Sequence, residues 1–327
     1  MINENTTLYD LYNDESLSEI KDCLIAGGEN FFLGETGKLS LKDFNEKAQP
    51  TWSYADMLAG IFGVRDAFAR GGKIIPVYGE KEIENDESKN KVKLVYFPAK
   101  NKKRKTVFIA SGGAYGSVCN LAEGFPVAAV LAENGYDCFC LRYRTATPES
   151  FISGLLPKPM EDFAATVRLI ANCADDLNVD MSNYSVCGFS AGGHLCASVA
   201  CENIGLKKYG LKNPAKVILA YPLVDLKDLT GKIGAYMLTG LFGKNFDNRL
   251  IDEYSPIEHL SEKYPETFIV QANDDITVNP TKSAAFVERL NSLGVSAKLK
   301  TAEKGGHGFG LGSNTDLCGW LGEAFDF

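Results

Sequence analysis

No apolar run in this sequence approaches the roughly 20 residues that a membrane-spanning helix needs, and no low-complexity tract or internal repeat interrupts it. Basic residues are in the minority: 34 Lys and Arg stand against 42 Asp and Glu, a formal net charge of −8. Nucleic-acid binding calls for positive charge concentrated on one face, so neither nucleic acid nor a membrane is expected as a partner. The one basic cluster, Lys102-Lys103-Arg104-Lys105, lies between two apolar strand patterns and reads as a solvated hairpin loop. Met1 to Asn5 carry neither the basic leader nor the apolar core of a secretion signal. Histidine is scarce, with three in 327 residues. The nine cysteines show no metal-ligand spacing, since Cys138 and Cys140 alternate along a strand with no matching pair. Cys138, Cys140, Cys187, Cys196 and Cys201 all fall inside apolar patterns, where reduced cysteines act as small core residues. No metal site is expected, and the expected compartment is the cytoplasm.

What the chain does have is Tyr184-Ser185-Val186-Cys187-Gly188-Phe189-Ser190-Ala191-Gly192-Gly193-His194. A short apolar strand runs into Gly-x-Ser-x-Gly and then into a helix-compatible run through Leu195, Ala197, Val199 and Ala200. In a nucleophile elbow the serine occupies a sharp strand-to-helix turn that projects its hydroxyl from the sheet. Ser190 is therefore the candidate nucleophile.

Around this motif the periodicity alternates. Residues 1–88 hold little strand pattern until near their end, and are expected to form a helical extension on a catalytic domain of residues 89–327. Ser16 to Ala26 is a candidate short helix. Ser53 to Arg70 is a stronger one, with Met57, Leu58, Ile61, Val64 and Phe68 on one face. That face must be buried against the main domain or a second subunit, so a homodimer is one expectation. Trp52 and Tyr54 beside it read as packing. Strands are expected over Lys73 to Tyr78, Lys91 to Phe97, Thr106 to Ala110, Cys138 to Tyr143, Tyr184 to Gly188, Val217 to Val224, Thr267 to Ala272 and Ser296 to Thr301. Glu80 to Asn90 reads as an exposed charged loop. Helices are expected from Phe125 to Glu133, from Pro159 onward and from Pro280 onward. The stretch 225–265, helical and glycine-rich, is a candidate lid. Strands alternating with helices predict an α/β fold, with a mostly parallel, doubly wound sheet and helices on both faces. Ligands of such sheets sit at the carboxyl ends of the strands, where Ser190 is placed.

Serine attacks only when a base takes its proton, and that base needs a carboxylate to fix its tautomer. His307 follows the last strand in the flexible loop Gly305-Gly306-His307-Gly308-Phe309-Gly310, and is the candidate base. His194 points along the elbow's own helix and reads as structural support. His259 reads as packing or a helix end. The acid should follow a strand between serine and histidine. Asp274 and Asp275 both qualify, and Asp225 is a more distant candidate. For the oxyanion, the N–H of Ala191 is one candidate donor. The loop Ser111-Gly112-Gly113-Ala114-Tyr115 offers those of Gly113 and Ala114.

Gly112-Gly113-Ala114-Tyr115, Glu123-Gly124-Phe125-Pro126, Leu141-Arg142-Tyr143-Arg144, the elbow, and Gly306-His307-Gly308 together resemble the bacterial esterase/lipase branch of the α/β-hydrolases. Among named groups they are most similar to the acetyl-xylan and feruloyl esterase-like carbohydrate esterases. The resemblance covers about residues 90–315. It implies a cofactor-free serine carboxylic ester hydrolase with Asp275 as the acid, because relatives place a valine three residues after it. It also implies an acyl-enzyme, short acyl groups such as acetyl, and a small-molecule ester as partner, an acetylated sugar or oligosaccharide in particular. Ser111-Gly112-Gly113-Ala114 departs from the commoner all-glycine run, and Asn279-Pro280 stands where proline alone usually follows the valine. Competing readings are an esterase of broader, lipase-like acyl range, a peptidase of the prolyl-oligopeptidase type, and a non-catalytic hydrolase-fold binding protein. The N-terminal 90 residues are too short for the propeller that such peptidases carry, and a non-catalytic relative typically lacks one of the three side chains.

Overall fold

The computed structural model describes residues 1–101 and 105–327. Within it, eight strands make one sheet: β1 (Ile74–Pro76), β2 (Lys93–Phe97), β3 (Lys105–Ala110), β4 (Tyr136–Arg142), β5 (Asp180–Phe189), β6 (Lys216–Ala220), β7 (Glu266–Ala272) and β8 (Ala297–Ala302). Their order in space is β1-β2-β4-β3-β5-β6-β7-β8. β2 is antiparallel to β1 and β4, and every other pair is parallel. Parallel strands survive only when both faces are covered, and the central ones read accordingly. Phe108, Ala110, Val186 and Leu219 point into one buried cluster, while Ile109, Cys187, Phe189 and Ile218 point into the other.

Helices α1 (Tyr54–Ala69), α2 (Gly124–Glu133), α3 (Lys158–Asn172), α4 (Ser190–Ala200), α5 (Gly231–Phe242), α6 (Pro280–Ser292) and α7 (Trp320–Asp326) complete the layers. Phe163 and Val167 of α3, Leu195 of α4 and Phe286 of α6 enter the first cluster. Met57 and Ile61 of α1, Phe125 and Leu131 of α2 and Trp320 of α7 enter the second, together with Leu8, Leu24, Phe32 and Phe44 of the N-terminal segment. Helix α1 forms because Ser53 accepts the Asp56 N–H at its start, at 3.2 Å, and because Met57, Ile61, Val64 and Ala67 share one buried face. It lies hard against α2. A Cβ on Gly63 would sit 2.4 Å from the Ala129 Cβ, and one on Gly60 would sit 2.8 Å from the Pro126 ring. The apolar face of α1 is thus used up against the chain's own core.

Several expectations need correction. β1 is part of the sheet, so the sheet crosses the boundary expected at residues 88 and 89. Ser16 to Ala26 is not one helix but a 3-10 turn at Glu15–Leu17 followed by a single turn at Lys21–Leu24. Glu80 to Asn90 is exposed but not a loop: Glu80–Asn85 is helical, started by the Glu82 carboxylate accepting the Gly79 N–H at 3.1 Å. The hairpin expected at Lys102 to Lys105 lies outside the described residues except for Lys105, which opens β3. Its flanking strands, β2 and β3, are separated by β4. The strand expected to reach Val224 stops at Ala220, because Tyr221 takes a left-handed φ of 41°. In 225–265, α5 packs across the short helix Ser150–Ser153, with the rings of Phe151 and Tyr236 4.5 Å apart. No helix among the described residues is long and apolar enough to cross a membrane.

Candidate active site

β5 ends at Phe189 and α4 begins at Ser190, which holds φ at +50°. A non-glycine residue there is strained and persists only if its surroundings hold it. They do: a Cβ on Gly192 would fall 2.1 Å from the Ala110 carbonyl, so the elbow is pressed onto the end of β3 and only glycine fits. The Ser190 hydroxyl donates to Nε2 of His307 at 2.8 Å. Nδ1 of His307 donates to Oδ2 of Asp275 at 2.7 Å. The three residues expected from sequence therefore meet, although 117 positions separate the serine from the histidine.

Asp275 is itself fixed. Oδ1 accepts the N–H groups of Thr277 (2.8 Å) and Val278 (3.0 Å), and Oδ2 accepts the Gln271 amide at 2.9 Å. The Ser283 hydroxyl holds the other end of Gln271 at 3.0 Å. Asp274 takes a different task, accepting the Gly306 N–H at 2.7 Å, which tethers the residue before the histidine. Asp225 lies elsewhere, paired with Lys282 at 2.7 Å.

The loop after β3 passes directly beside the serine: a Cβ on Gly112 would lie 2.7 Å from the Ser190 Cβ. Gly113, Ala114 and Tyr115 follow with φ of 127°, 53° and 59°. The N–H groups of Gly113 and Ala114 have no hydrogen-bond partner among the described residues. Ala191, as the second residue of α4, contributes one of the N–H groups that a helix start leaves free.

Two supports of this loop have no role in the sequence analysis, although Glu123 stands in one of the motifs that carry the resemblance. The buried Glu123 carboxylate accepts the Gly112 N–H at 2.6 Å and the Tyr221 hydroxyl at 2.9 Å. Burial raises its pKa to about 7, against the lowering effect of those two donors and of nearby His307. The Tyr221 oxygen in turn accepts the Gly310 N–H at 3.1 Å, and its ring lies edge-on to His307 with centroids 4.9 Å apart. One carboxylate thus ties the loop after β3 to the histidine loop. Its sequence signal was a lone acid inside an apolar stretch, Leu121-Ala122-Glu123-Gly124-Phe125. Tyr221 left no such signal.

His194 is fully buried. Nε2 faces the Tyr254 carbonyl at 2.7 Å, which can only accept, so Nε2 carries the proton. Nδ1 then accepts from the Tyr115 hydroxyl at 2.6 Å. His194 is the structural support expected, joining α4 to Tyr115 and to the segment after α5. His259 ends the 3-10 turn Pro256–His259, and its Nε2 donates to the Asp252 carbonyl at 2.9 Å. Trp52 packs on Phe44, with centroids 5.7 Å apart, and also borders the histidine loop. Beside Ala114 opens a cavity of about 800 Å³, walled by Tyr115, Phe151, Tyr236, Met237 and Leu241.

Residues 94–290, more than half of the chain, match the profile of the BD-FAE family. The chain is 27% identical over 226 residues to endo-1,4-beta-xylanase B of Butyrivibrio fibrisolvens, covering 67% of this chain and 35% of that protein. It is 26% identical over 242 residues to the acetylxylan esterase of Xylanibacter ruminicola, covering 71% and 48% respectively. The chain thus spans about a third to a half of the length of these curated relatives. The crystal structure of an acetyl ester-xyloside bifunctional hydrolase from Caldicellulosiruptor lactoaceticus superposes with a TM-score of 0.65 at 27% identity, over 78% of this chain and 93% of that one. Sheet order, elbow and family match lead to one statement: this chain belongs to the BD-FAE family of α/β-hydrolase-fold esterases.

Proposed function

We propose that the protein is a serine carboxylic ester hydrolase that works through an acyl-enzyme and releases short acyl groups, acetyl first among them, from acetylated sugars or oligosaccharides. The observation that carries the reading is the hydrogen-bonded chain from Ser190 through His307 to Asp275, built on a strained elbow. The Ser190 oxygen attacks the ester carbonyl carbon while Nε2 of His307 takes its proton. Asp275 keeps the proton of Nδ1 in place and stabilises the imidazolium. The N–H groups of Gly113, Ala114 and Ala191 receive the charge that develops on the carbonyl oxygen. His307 then returns the proton to the departing alcohol. A water, deprotonated by the same ring, releases the acid. The sugar side of the reading is supported by the names of the xylan-acting relatives.

The cavity beside Ala114 favours a second reading, a broader acyl range. Its volume, about 800 Å³, far exceeds an acetyl group, and its walls include Phe151, Tyr236, Met237 and Leu241. A p-nitrophenyl ester series from acetyl to octanoyl, run on wild type and Ser190→Ala, tests both. The serine mechanism requires that Ser190→Ala lose roughly 10³-fold or more in kcat. Equal rates in the two proteins sink it. Rates falling with chain length support the short-acyl reading, and rates rising with it support the second. Acetate release from acetylated xylo-oligosaccharides checks the alcohol.

A further inference from the structure

We propose that the N-terminal segment, which precedes the family-matched residues 94–290, is a working part of the active site, and that Thr51 is a positioning residue for His307. The inference rests on the serine-hydrolase reading above.

The Thr51 hydroxyl donates to the main-chain carbonyl of His307 at 2.7 Å, across 256 positions of chain. The residues on either side of the histidine are boxed by the same turn. A Cβ on Gly306 would meet the Thr51 methyl at 3.0 Å, and one on Gly308 would meet the Trp52 indole nitrogen at 3.2 Å. Gly306 and Gly308 both hold positive φ, at 65° and 80°. Glycines flanking a base on both sides let it swing, so something outside the loop must restrain it. Thr51 and Trp52 supply that restraint, together with Asp274 and Tyr221.

The turn that carries Thr51 is itself anchored. Buried Asn45 donates to the carbonyls of Gln49 (3.2 Å) and Pro50 (3.3 Å), and the Trp52 N–H bonds the Gln49 carbonyl at 3.0 Å. Trp52 is wedged against Phe31 and Phe44. Downstream, Asp56 accepts the Ser313 hydroxyl at 2.8 Å. The same segment also reaches the other loop of the site. The Cys23 carbonyl accepts the Asn120 amide at 3.1 Å, and Asn120 accepts the Ser111 hydroxyl at 2.7 Å, directly before Gly112. The Leu24 carbonyl accepts the Leu121 N–H at 2.8 Å, and Ala26 pairs with Val118. Residues 23–56 therefore restrain both the base and the oxyanion donors. Small displacements of a base cost rate rather than affinity.

The experiment compares wild type, Thr51→Val, Thr51→Ser and Ser190→Ala as full-length chains on p-nitrophenyl acetate, with Tm measured for each. Thr51→Val keeps the side chain's shape and removes the donor. Its kcat is expected to fall about three- to tenfold, the range of one lost neutral hydrogen bond, with KM changed less than about twofold if the base alone has moved. Thr51→Ser keeps the hydroxyl and is expected to restore kcat. Thr51→Ala, which lacks both donor and branch, serves if Thr51→Val does not fold. Wild-type kcat without the hydroxyl overturns the proposal, as does an equal loss in Thr51→Ser or a loss seen only as a raised KM. Ser190→Ala separates the two ideas: its retention of activity sinks the esterase reading, whereas its inactivity beside a fully active Thr51→Val sinks only the positioning role.

Discussion

Two histidines are tied to the elbow that carries Ser190, and their surroundings are opposite. His307 has a carboxylate at Nδ1, the serine hydroxyl at Nε2, and a side chain 18% exposed. His194 has a phenol at Nδ1, a carbonyl at Nε2 and no exposure. Burial without a carboxylate pushes the His194 pKa down to about 4, so the ring stays neutral and serves as a spacer between strained Tyr115 and the chain at Tyr254. On the proposed mechanism His307, and not His194, is the base because a fixed carboxylate lies behind it and a hydroxyl lies in front.

Removing either ring tests that contrast. His307→Ala should cost roughly 10³-fold or more in kcat/KM on p-nitrophenyl acetate, with little change in the urea midpoint. Activity near wild type would show that the hydrogen-bonded chain is not the machinery. His194 should instead govern stability through pH. Its folded pKa lies near 4, below the ordinary value of 6.5, so the unfolded chain binds more protons between those values. Its own contribution to the unfolding free energy should therefore hold above pH 6.5 and fall by about 3 kcal/mol as pH drops to 4. Buried Glu123, with its pKa raised to about 7, acts in the opposite direction over the same range, so the His194 part is read as the difference between wild type and His194→Phe in urea titrations. In His194→Phe that part of the slope should vanish; an unchanged slope would assign the acid sensitivity to other groups. The smallest effect is expected from Tyr115→Phe, which leaves Nδ1 of His194 without its donor. It should cost about 1 kcal/mol in the same titration, and a loss nearer that of a cavity mutation would mean that the phenol does more than satisfy the ring.

The elbow was legible because its signals are local. An apolar strand, a Gly-x-Ser-x-Gly turn and a helix-forming run are contiguous, and the turn's tightness dictates small residues whatever lies around it. The glycine-flanked histidine was legible for the same reason. The aspartate pair was not separable on residues alone, since Asp274 and Asp275 are chemically identical and adjacent. The path of the loop after β7 turns one toward the imidazole and the other toward the Gly306 N–H. The strand drawn through to Val224 failed because apolar periodicity continues past Ala220 while the backbone leaves the sheet at Tyr221. The helix at Glu80–Asn85 carries no apolar stripe to read, since none of its residues is fully buried and only Ile83 packs, half-buried, against the core.

The alternation of strands and helices, the tight turn that carries a serine, and the residue types able to move a proton are properties of short stretches of chain, and the sequence by itself determined them here. Which groups restrain those residues was decided only when the chain closed on itself. Thr51 meets His307 across 256 positions, and Glu123 meets Tyr221 across 98. No local pattern encodes such pairs, because each depends on where the sheet's twist and the packing of two buried layers place distant loops.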